Sequence, residues 1–318
     1  MTGFRVADSV ISREIGGMLV VLEVERRAYF QLDRTAAVIW RAIEALGRVD
    51  LVVDACAAAF AVESAIVDRD VRGFIDDAVD RGLLLEGSEV NRSNQPTRSG
   101  DTPLLSLDRA GIRLNGDLEE LTRQFVAKPY VELPAFVAPG LLSILEMAVA
   151  EGNFANRVHH GIGAEVCLES GAATSACQLI FNDPALLAIV TRIAGSPVRC
   201  FNGRVYRLQP QSAHYDSWHS DASDDRVVGL SVNLSREPYD GGLLEIRRAI
   251  APEAEHAVAS AGFGSAVLFR ISPELRHRVT EVRGGRPRTA YAGWFRTSPD
   301  FEDAFLTALN AQALAAHQ

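Results

Sequence analysis

At 318 residues, with 47% hydrophobic and 23% charged residues, the chain is long enough for two domains and has the composition of soluble globular protein. A formal charge of -9, from 32 basic and 41 acidic side chains, excludes a binder that grips nucleic-acid phosphates through a basic face. No apolar run reaches the length of a membrane span, and Met1–Asp8 lacks the basic-then-apolar layout of a signal peptide, so no membrane partner is expected.

The first residues predict a small unit. Val10–Arg13, Met18–Leu22 and Ala28–Leu32 are aliphatic, β-branched and aromatic runs parted by Gly16-Gly17 and Glu25-Arg26-Arg27, and they predict three strands of a meander. Asp33 predicts a helix N-cap. Ala36, Ile39, Trp40, Ile43 and Leu46 then follow at helical spacing, and Gly47 is the stop. Asp50 is expected to cap a second helix running to Phe60. A third helix places Val67, Val71, Phe74, Ile75, Ala78 and Val79 on one face and ends at Gly82. Three strands followed by three helices is a winged-helix layout. From Gly87 to Thr102 the chain holds almost no apolar residues and predicts a linker, so the expected division is 1–87, a linker at 88–103, and 104–318.

The second part opens with helices. Asp117–Val126 and Pro139–Ala150 have helical spacing, and Asp183, Pro184 and Gly195 bracket a third helix by its caps. From Val198 the period switches to two: Val228, Leu230, Val232 and Leu234 alternate with Gly229, Ser231 and Asn233. Ala266–Phe269, His277–Val282 and Thr289–Phe295 are further strand candidates, and Phe301–Ala311 predicts a closing helix. The expected fold class is α+β, a small winged-helix domain followed by a jelly-roll barrel with flanking helices. The four cysteines, Cys56, Cys167, Cys177 and Cys200, form no CxxC pair. They read as small buried hydrophobes in a reducing, cytoplasmic compartment.

Two His-x-Asp triplets stand close together, His214-Tyr215-Asp216 and His219-Ser220-Asp221. The second has the better company. Trp218 precedes it, an alternating strand follows, and then come Tyr239-Asp240-Gly241-Gly242, His277, and Arg288 six residues before Trp294. His219 and Asp221, two apart on a strand, point to one face. Two imidazoles and one carboxylate on one face of Fe(II) leave three positions open, enough for a chelating keto acid and dioxygen. The far carboxylate of such an acid wants a forked cation, which Arg supplies and Lys does not.

The ordered set Trp218–Asp221, Tyr239–Gly242, Leu275–Thr280 and Arg288–Phe295 resembles the 2-oxoglutarate/Fe(II) oxygenase superfamily, near its prolyl-hydroxylase-like branch. The resemblance implies Fe(II), 2-oxoglutarate and O2 as cofactor and co-substrates. It implies His219, Asp221 and His277 as iron ligands and catalytic residues, and Arg288 as the 2-oxoglutarate clamp. Arg286 shares the strand parity of Arg288 and stays open as an alternative clamp. Tyr206, Ser231 and Asn233 are further candidates to contact the co-substrate. The remaining polar residues have blander readings: His214 a loop residue, His159 and His160 polar surface or pocket mouth, Asp224 and Asp225 a solvated loop, and Gly241-Gly242 a tight turn.

Residues 8–86 resemble the PqqD-like peptide-recognition elements of ribosomal peptide (RiPP) biosynthesis. The similarity rests on Gly16–Leu22, Ala28–Asp33, Ala36–Trp40 and the close from Phe74 to Leu84. It implies a precursor peptide as partner, its leader added as a fourth strand on the edge of Ala28–Leu32. Tyr29, Gln31, Arg69 and Arg72 are candidates to line the groove between that strand and the third helix. The expected function is hydroxylation of a precursor-peptide side chain. Two alternatives stand beside it: an oxygenase of a small molecule or free amino acid whose N-terminal domain makes a homodimer, and a non-catalytic peptide chaperone.

Overall fold

The computed structural model describes residues 3–87 and 103–316, in two units, Met1–Asp101 and Thr102–Gln318. Apart from Pro103, the expected linker lies outside the described residues.

In the first unit, β1 (Phe4–Val6) precedes the meander β2 (Val10–Ile15), β3 (Met18–Glu23) and β4 (Ala28–Leu32), paired antiparallel in the order β2-β3-β4. Helix α1 (Arg34–Leu46) starts on Asp33, whose carboxylate accepts the Ala36 N–H, and ends on Gly47 in the left-handed conformation. Helix α2 (Val49–Phe60) begins two residues earlier than an Asp50 cap would set it. Arg48 holds the N-cap, and Asp50 sits in the first turn, ion-paired with Arg48 and favourably placed against the helix dipole. Helix α3 (Ser64–Asp80) follows, and β5 (Leu84–Glu86) returns to pair with β1. This two-stranded ribbon was not expected, because three-residue runs carry no readable period. Leu19 and Val21 of β3 pack with Trp40, Val52, Val71 and Ile75 of the helices.

The second unit begins with a hairpin, β6 (Leu105–Asp108) and β7 (Gly111–Leu114), then α4 (Leu118–Ala127) capped by Asp117, β8 (Tyr130–Leu133) and α5 (Pro139–Ala150). Next come β9 (Phe154–His159), β10 (Gly163–Leu168), α6 (Ala172–Phe181) and α7 (Pro184–Ala194). The barrel strands are β11 (Cys200–Leu208), β12 (Tyr215–Asp216), β13 (Arg226–Asn233), β14 (Asp240–Gly241), β15 (Leu244–Arg248), β16 (His256–Val258), β17 (Ala266–Arg270), β18 (Leu275–Val279), β19 (Val282–Arg283) and β20 (Arg288–Arg296). The expected strand His277–Val282 is two strands, β18 and β19, broken at Thr280-Glu281, and His277 lies in the middle of β18 rather than at its head. Helix α8 (Phe301–Ala316) runs five residues past Ala311. Among the described residues no single helix is long and apolar enough to cross a membrane.

The strands form a jelly roll. The large sheet runs β12-β10-β11-β20-β13-β17-β8, with β9 on the other edge of β10; the smaller ones are β16-β15-β18 and β14-β19. Apolar side chains join large and small sheets at both ends of the interior: Tyr206, Leu208 and Ala290 meet Val279 and Val282, and Leu244 and Ile246 meet Phe269 and Ile271. Alternation sorts the two faces of β11 and β20. Phe201 and Tyr291 face outward onto Phe181 of α6, with ring centroids 5.9 and 4.6 Å away. Arg204, Tyr206, Arg288 and Trp294, on the opposite parity, face the interior.

Candidate active site

His219 and His277 are held by one another's backbone. Each donates its N–H to the other's carbonyl, at 3.1 and 3.0 Å, forming a single antiparallel bridge that carries the loop after β12 onto β18. Their rings stand 4.4 Å apart. Asp221 follows His219 by two residues and shares its side, but it lies outside any strand, so the expected strand is only this one bridge and an extended segment. One ligand atom from each of His219, Asp221 and His277 lies within 4.8 Å of the others. His277 Nε2 is 3.2 Å and His219 Nε2 3.8 Å from Asp221 Oδ2.

The surroundings set this trio up as a donor set. His219 Nδ1 lies 2.7 Å from the Ser217 carbonyl, which fixes the proton on Nδ1 and leaves the Nε2 lone pair for a metal. Asp216 supports the same ring. Its Oδ1 lies 3.3 Å from His219 Nδ1, while Oδ2 accepts the Val279 N–H at 2.8 Å. Burial pushes the Asp216 carboxyl up. The Trp294 indole N–H donates to Asp221 Oδ2 at 2.6 Å, and Arg226 stacks over the Trp294 ring at 3.7 Å with Nη1 3.4 Å from Asp221 Oδ1. Burial alone would raise the Asp221 carboxyl, yet His277, Trp294 and His219 outweigh it and hold it near about 2. Asp221 is therefore an anion at neutral pH, as a metal ligand must be. Two imidazole nitrogens and one carboxylate, with His219 Nδ1 and the Asp221 carboxylate held by further partners, fit Fe(II).

Arg288 opens β20 pointing inward and is 5% exposed. Its Nη1 donates to the Tyr206 hydroxyl and its Nη2 to Ser231 Oγ at 3.0 Å, so both hydroxyls keep a proton to offer elsewhere. Arg288 Nε is buried with no hydrogen-bond partner among the described residues. Such an orphaned donor beside two free hydroxyl protons fits a carboxylate. Burial pulls the Arg288 pKa down, but Tyr206 and Tyr239 more than offset it, so the guanidinium stays charged. Gly242 makes the room: it sits at φ +63°, and a Cβ there would lie 2.7 Å from Arg288 Cδ and 2.8 Å from Tyr239 Cε2. The Gly-Gly pair is thus more than a tight turn.

Several expectations need correction. Arg286 is exposed and ion-paired with Glu237 at 2.7 Å, outside the barrel interior. Asn233 turns away from the cavity, donating to the Gly262 carbonyl at 2.9 Å and accepting the Ser235 N–H, which ties down a loop. Of the two readings left open for His159 the pocket one holds: it ends β9 on the wall of a cavity of about 510 Å³ that also touches His219, Asp221, His277, Tyr206 and Ser231. His160 is exposed, and His214 only accepts the Gln209 N–H within its own loop. Asp225 is ion-paired with Arg296 instead of solvated, while Asp224 is exposed. In the first unit, Phe30 and Leu32 of β4 face the helices, so parity puts Tyr29 and Gln31 on the opposite face, away from the groove with α3. Arg69 and Arg72 are tied to Asp70 and Asp68 of their own helix, and the cation over β4 is Arg81, 5.6 Å from the Phe30 ring. Asp216, Trp294 and Arg226 were missed as supports of the ligands. Asp216 was visible in the sequence as the end of the first His-x-Asp triplet, but nothing local shows which metal ligand a loop folds back upon.

Two family profiles match. Residues 203–296 match the 2OG-Fe(II) oxygenase superfamily, and residues 19–84 match Coenzyme PQQ synthesis protein D (PqqD). No curated protein matches the chain. Among solved structures, a 2OG-Fe(II) oxygenase family oxidoreductase from Burkholderia pseudomallei is 16% identical over 61% of this chain and 96% of its own, with a TM-score of 0.46. A Pseudomonas putida prolyl-4-hydroxylase is 22% identical over 57% of this chain and 100% of its own, with a TM-score of 0.45. TbiB1, solved in complex with the TbiA(beta) leader peptide, is 30% identical over 27% of this chain and 99% of its own, with a TM-score of 0.25.

Proposed function

From a chain that joins a PqqD-like domain to a 2OG-Fe(II) oxygenase domain, we propose an enzyme that hydroxylates a side chain of a ribosomally made precursor peptide, with the leader docked on residues 1–87 and the core peptide modified by residues 104–318. The second domain is a dioxygenase of Fe(II), 2-oxoglutarate and O2. The observation that carries the reading is the convergence of His219, Asp221 and His277 in one cavity wall, with the buried, partly orphaned Arg288 behind it.

When bound, Fe(II) with its keto-acid co-substrate supplies the oxidation of an unactivated C–H bond by O2. The chain's residues do the rest. His219 and His277 would each present a ring nitrogen to the ion, and Asp221 an anionic oxygen. Ser217, Asp216 and Trp294 hold these groups in orientation, so little reorganisation accompanies ligation. Arg288 grips the far carboxylate of 2-oxoglutarate, with the Tyr206 and Ser231 hydroxyls as further donors. Leu244, Phe269 and Val279 line the cavity and exclude water around the reacting centre.

Leader docking is supported by the PqqD match and by β4. That strand pairs with β3 and with no other strand among the described residues, which leaves its second side for an incoming strand. A tethered leader raises the local concentration of the core at the iron. Four buried, unpaired cysteines support a reducing, cytoplasmic setting.

The test incubates full-length protein, Fe(II) and 2-oxoglutarate with the peptides encoded beside its gene, read by mass spectrometry. The expected result is a gain of one oxygen in the core, weakened by at least about a hundredfold when the leader is cleaved off. Equal turnover of the leaderless core would favour the small-substrate reading. No oxygen gain and no succinate from an iron-loaded protein would favour a peptide chaperone.

A further inference from the structure

One wall of the cavity is used neither by the metal ligands nor by the Arg288 clamp. It is built on β9, β10 and β11 around Glu165, which is 8% exposed. Arg204 Nε, Cys167 Sγ and His159 Nε2 all reach the same oxygen of that carboxylate, Oε1, at 2.8, 3.3 and 3.4 Å. Arg157 sits directly opposite Glu165 across the β9–β10 pair and lines the same cavity. Among the described residues the side chain of Arg157 makes no hydrogen bond or ion pair, and Arg204 spends only its Nε, leaving both Nη groups available. Arg204 is also well aimed: its guanidinium carbon lies 5.8 Å from the ring of Trp294, which holds the ligand carboxylate, and 5.8 Å from the ring of Tyr206, which holds the clamp.

The arginines on this wall are not all spent. Of the three that line the cavity, Arg226 is ion-paired with Asp221 and Arg204 with Glu165, which leaves Arg157 and the Nη edge of Arg204 as donors to the substrate. In a chain of net charge -9 these are cationic groups kept at the cavity. Guanidinium N–H groups that line a cavity suit an anionic acceptor, and a forked Arg satisfies a carboxylate best. An amine or guanidinium on the substrate would meet like charge.

We propose that the wall formed by Arg157 and Arg204 binds a carboxylate of the substrate, either the side chain of an Asp or Glu in the peptide or a carboxylate at its C-terminus. The inference rests on the peptide-oxygenase reading and names its substrate class. Glu165 then acts as a positioning residue: it anchors Arg204 by Nε so that the Nη edge faces the substrate.

The test uses full-length protein with 2-oxoglutarate and Zn(II), a redox-inert stand-in, and ligand-observed NMR. The probes are the N-acetyl, N-methylamide derivatives of Asp, Glu, Asn and Gln, together with N-acetylalanine. Asp or Glu derivatives, or N-acetylalanine, are expected to bind about tenfold or more tighter than the neutral amides. Whichever carboxylate wins identifies the source. Arg204→Gln should abolish the preference and Arg157→Gln should weaken it several-fold, while the affinity for 2-oxoglutarate stays unchanged. Equal binding of the Asn and Gln probes, no binding of any probe, or a preference that survives both substitutions overturns the proposal. So does a loss confined to 2-oxoglutarate, which would make the wall part of the co-substrate site. If Arg204→Gln fails to fold because Glu165 loses its counter-ion, Arg157→Gln decides alone, since Arg157 is exposed and unpaired. Leader dependence is measured separately on the precursor peptide. Carboxylate binding without leader-dependent oxidation would sink the peptide reading and leave this site standing.

Discussion

The two units offer binding partners different parts of the chain. In the second, side chains from four places, the loop after β12, β11, β18 and β20, converge on one cavity, and their identities are the site. In the first, the feature on offer is backbone: the outer edge of β4, while Arg69 and Arg72 are ion-paired with acids of their own helix. A metal site needs particular atoms and so constrains residue types. A strand edge needs only N–H and C=O groups, which every residue but proline carries. Mutation should therefore cut deeply in one unit and shallowly in the other.

The largest effect is expected at the ligands. Asp221→Ala should lower succinate formation by well over about a hundredfold and strip bound Fe(II), read by metal analysis, because even indirect supports of a metal site are worth about 10–100-fold. Retention of iron and turnover would break the side-chain half of the comparison. Next is the clamp. Arg288→Lys keeps the charge but loses the fork, and should raise the KM for 2-oxoglutarate by about tenfold or more, whereas Arg286→Ala should change it less than about twofold. The reverse order would move the clamp to the exposed arginine. Trp294→Phe removes the indole N–H from Asp221 and should weaken iron binding by about tenfold with thermal stability nearly unchanged. The smallest effect belongs to the first unit. Arg69→Ala with Arg72→Ala should alter leader affinity, measured by titration of a labelled leader, by less than about twofold, since exposed pairs contribute little. A large loss there would show that side chains, rather than the strand edge, recognise the leader.

Much of this was legible along the chain, and the failures have common causes. Helices announced by caps read well: Asp33 to Gly47 and Asp183 to Gly195 are bounded as expected, because a cap is a local hydrogen bond that short-range residue identity determines. The ribbon β1–β5, the hairpin β9–β10 and helix α6 did not read. The β1–β5 runs are too short, and β9 too exposed, for an apolar period to mark them, whereas α6 does carry helical spacing at Ala173, Ala176, Cys177 and Ile180 and was overlooked. Missing β9 and β10 hid the Arg157–Glu165–Arg204 wall, whose members come together only through strand pairing. Asn233 shares the strand parity of Ser231, yet its side chain is claimed by the Gly262 carbonyl; parity names a face and not a partner.

What the sequence determined by itself was residue chemistry and order: two histidines and an aspartate with an arginine downstream, a glycine pair between them, and a meander-then-helices unit ahead. Tertiary structure alone decided which of two arginines is buried, which acid steadies His219, and which acid pairs with each cavity arginine. Those outcomes depend on burial and on pairing between segments far apart in the chain. Neighbouring residues cannot encode them, because desolvation and strand register arise only once the sheets have closed around the cavity.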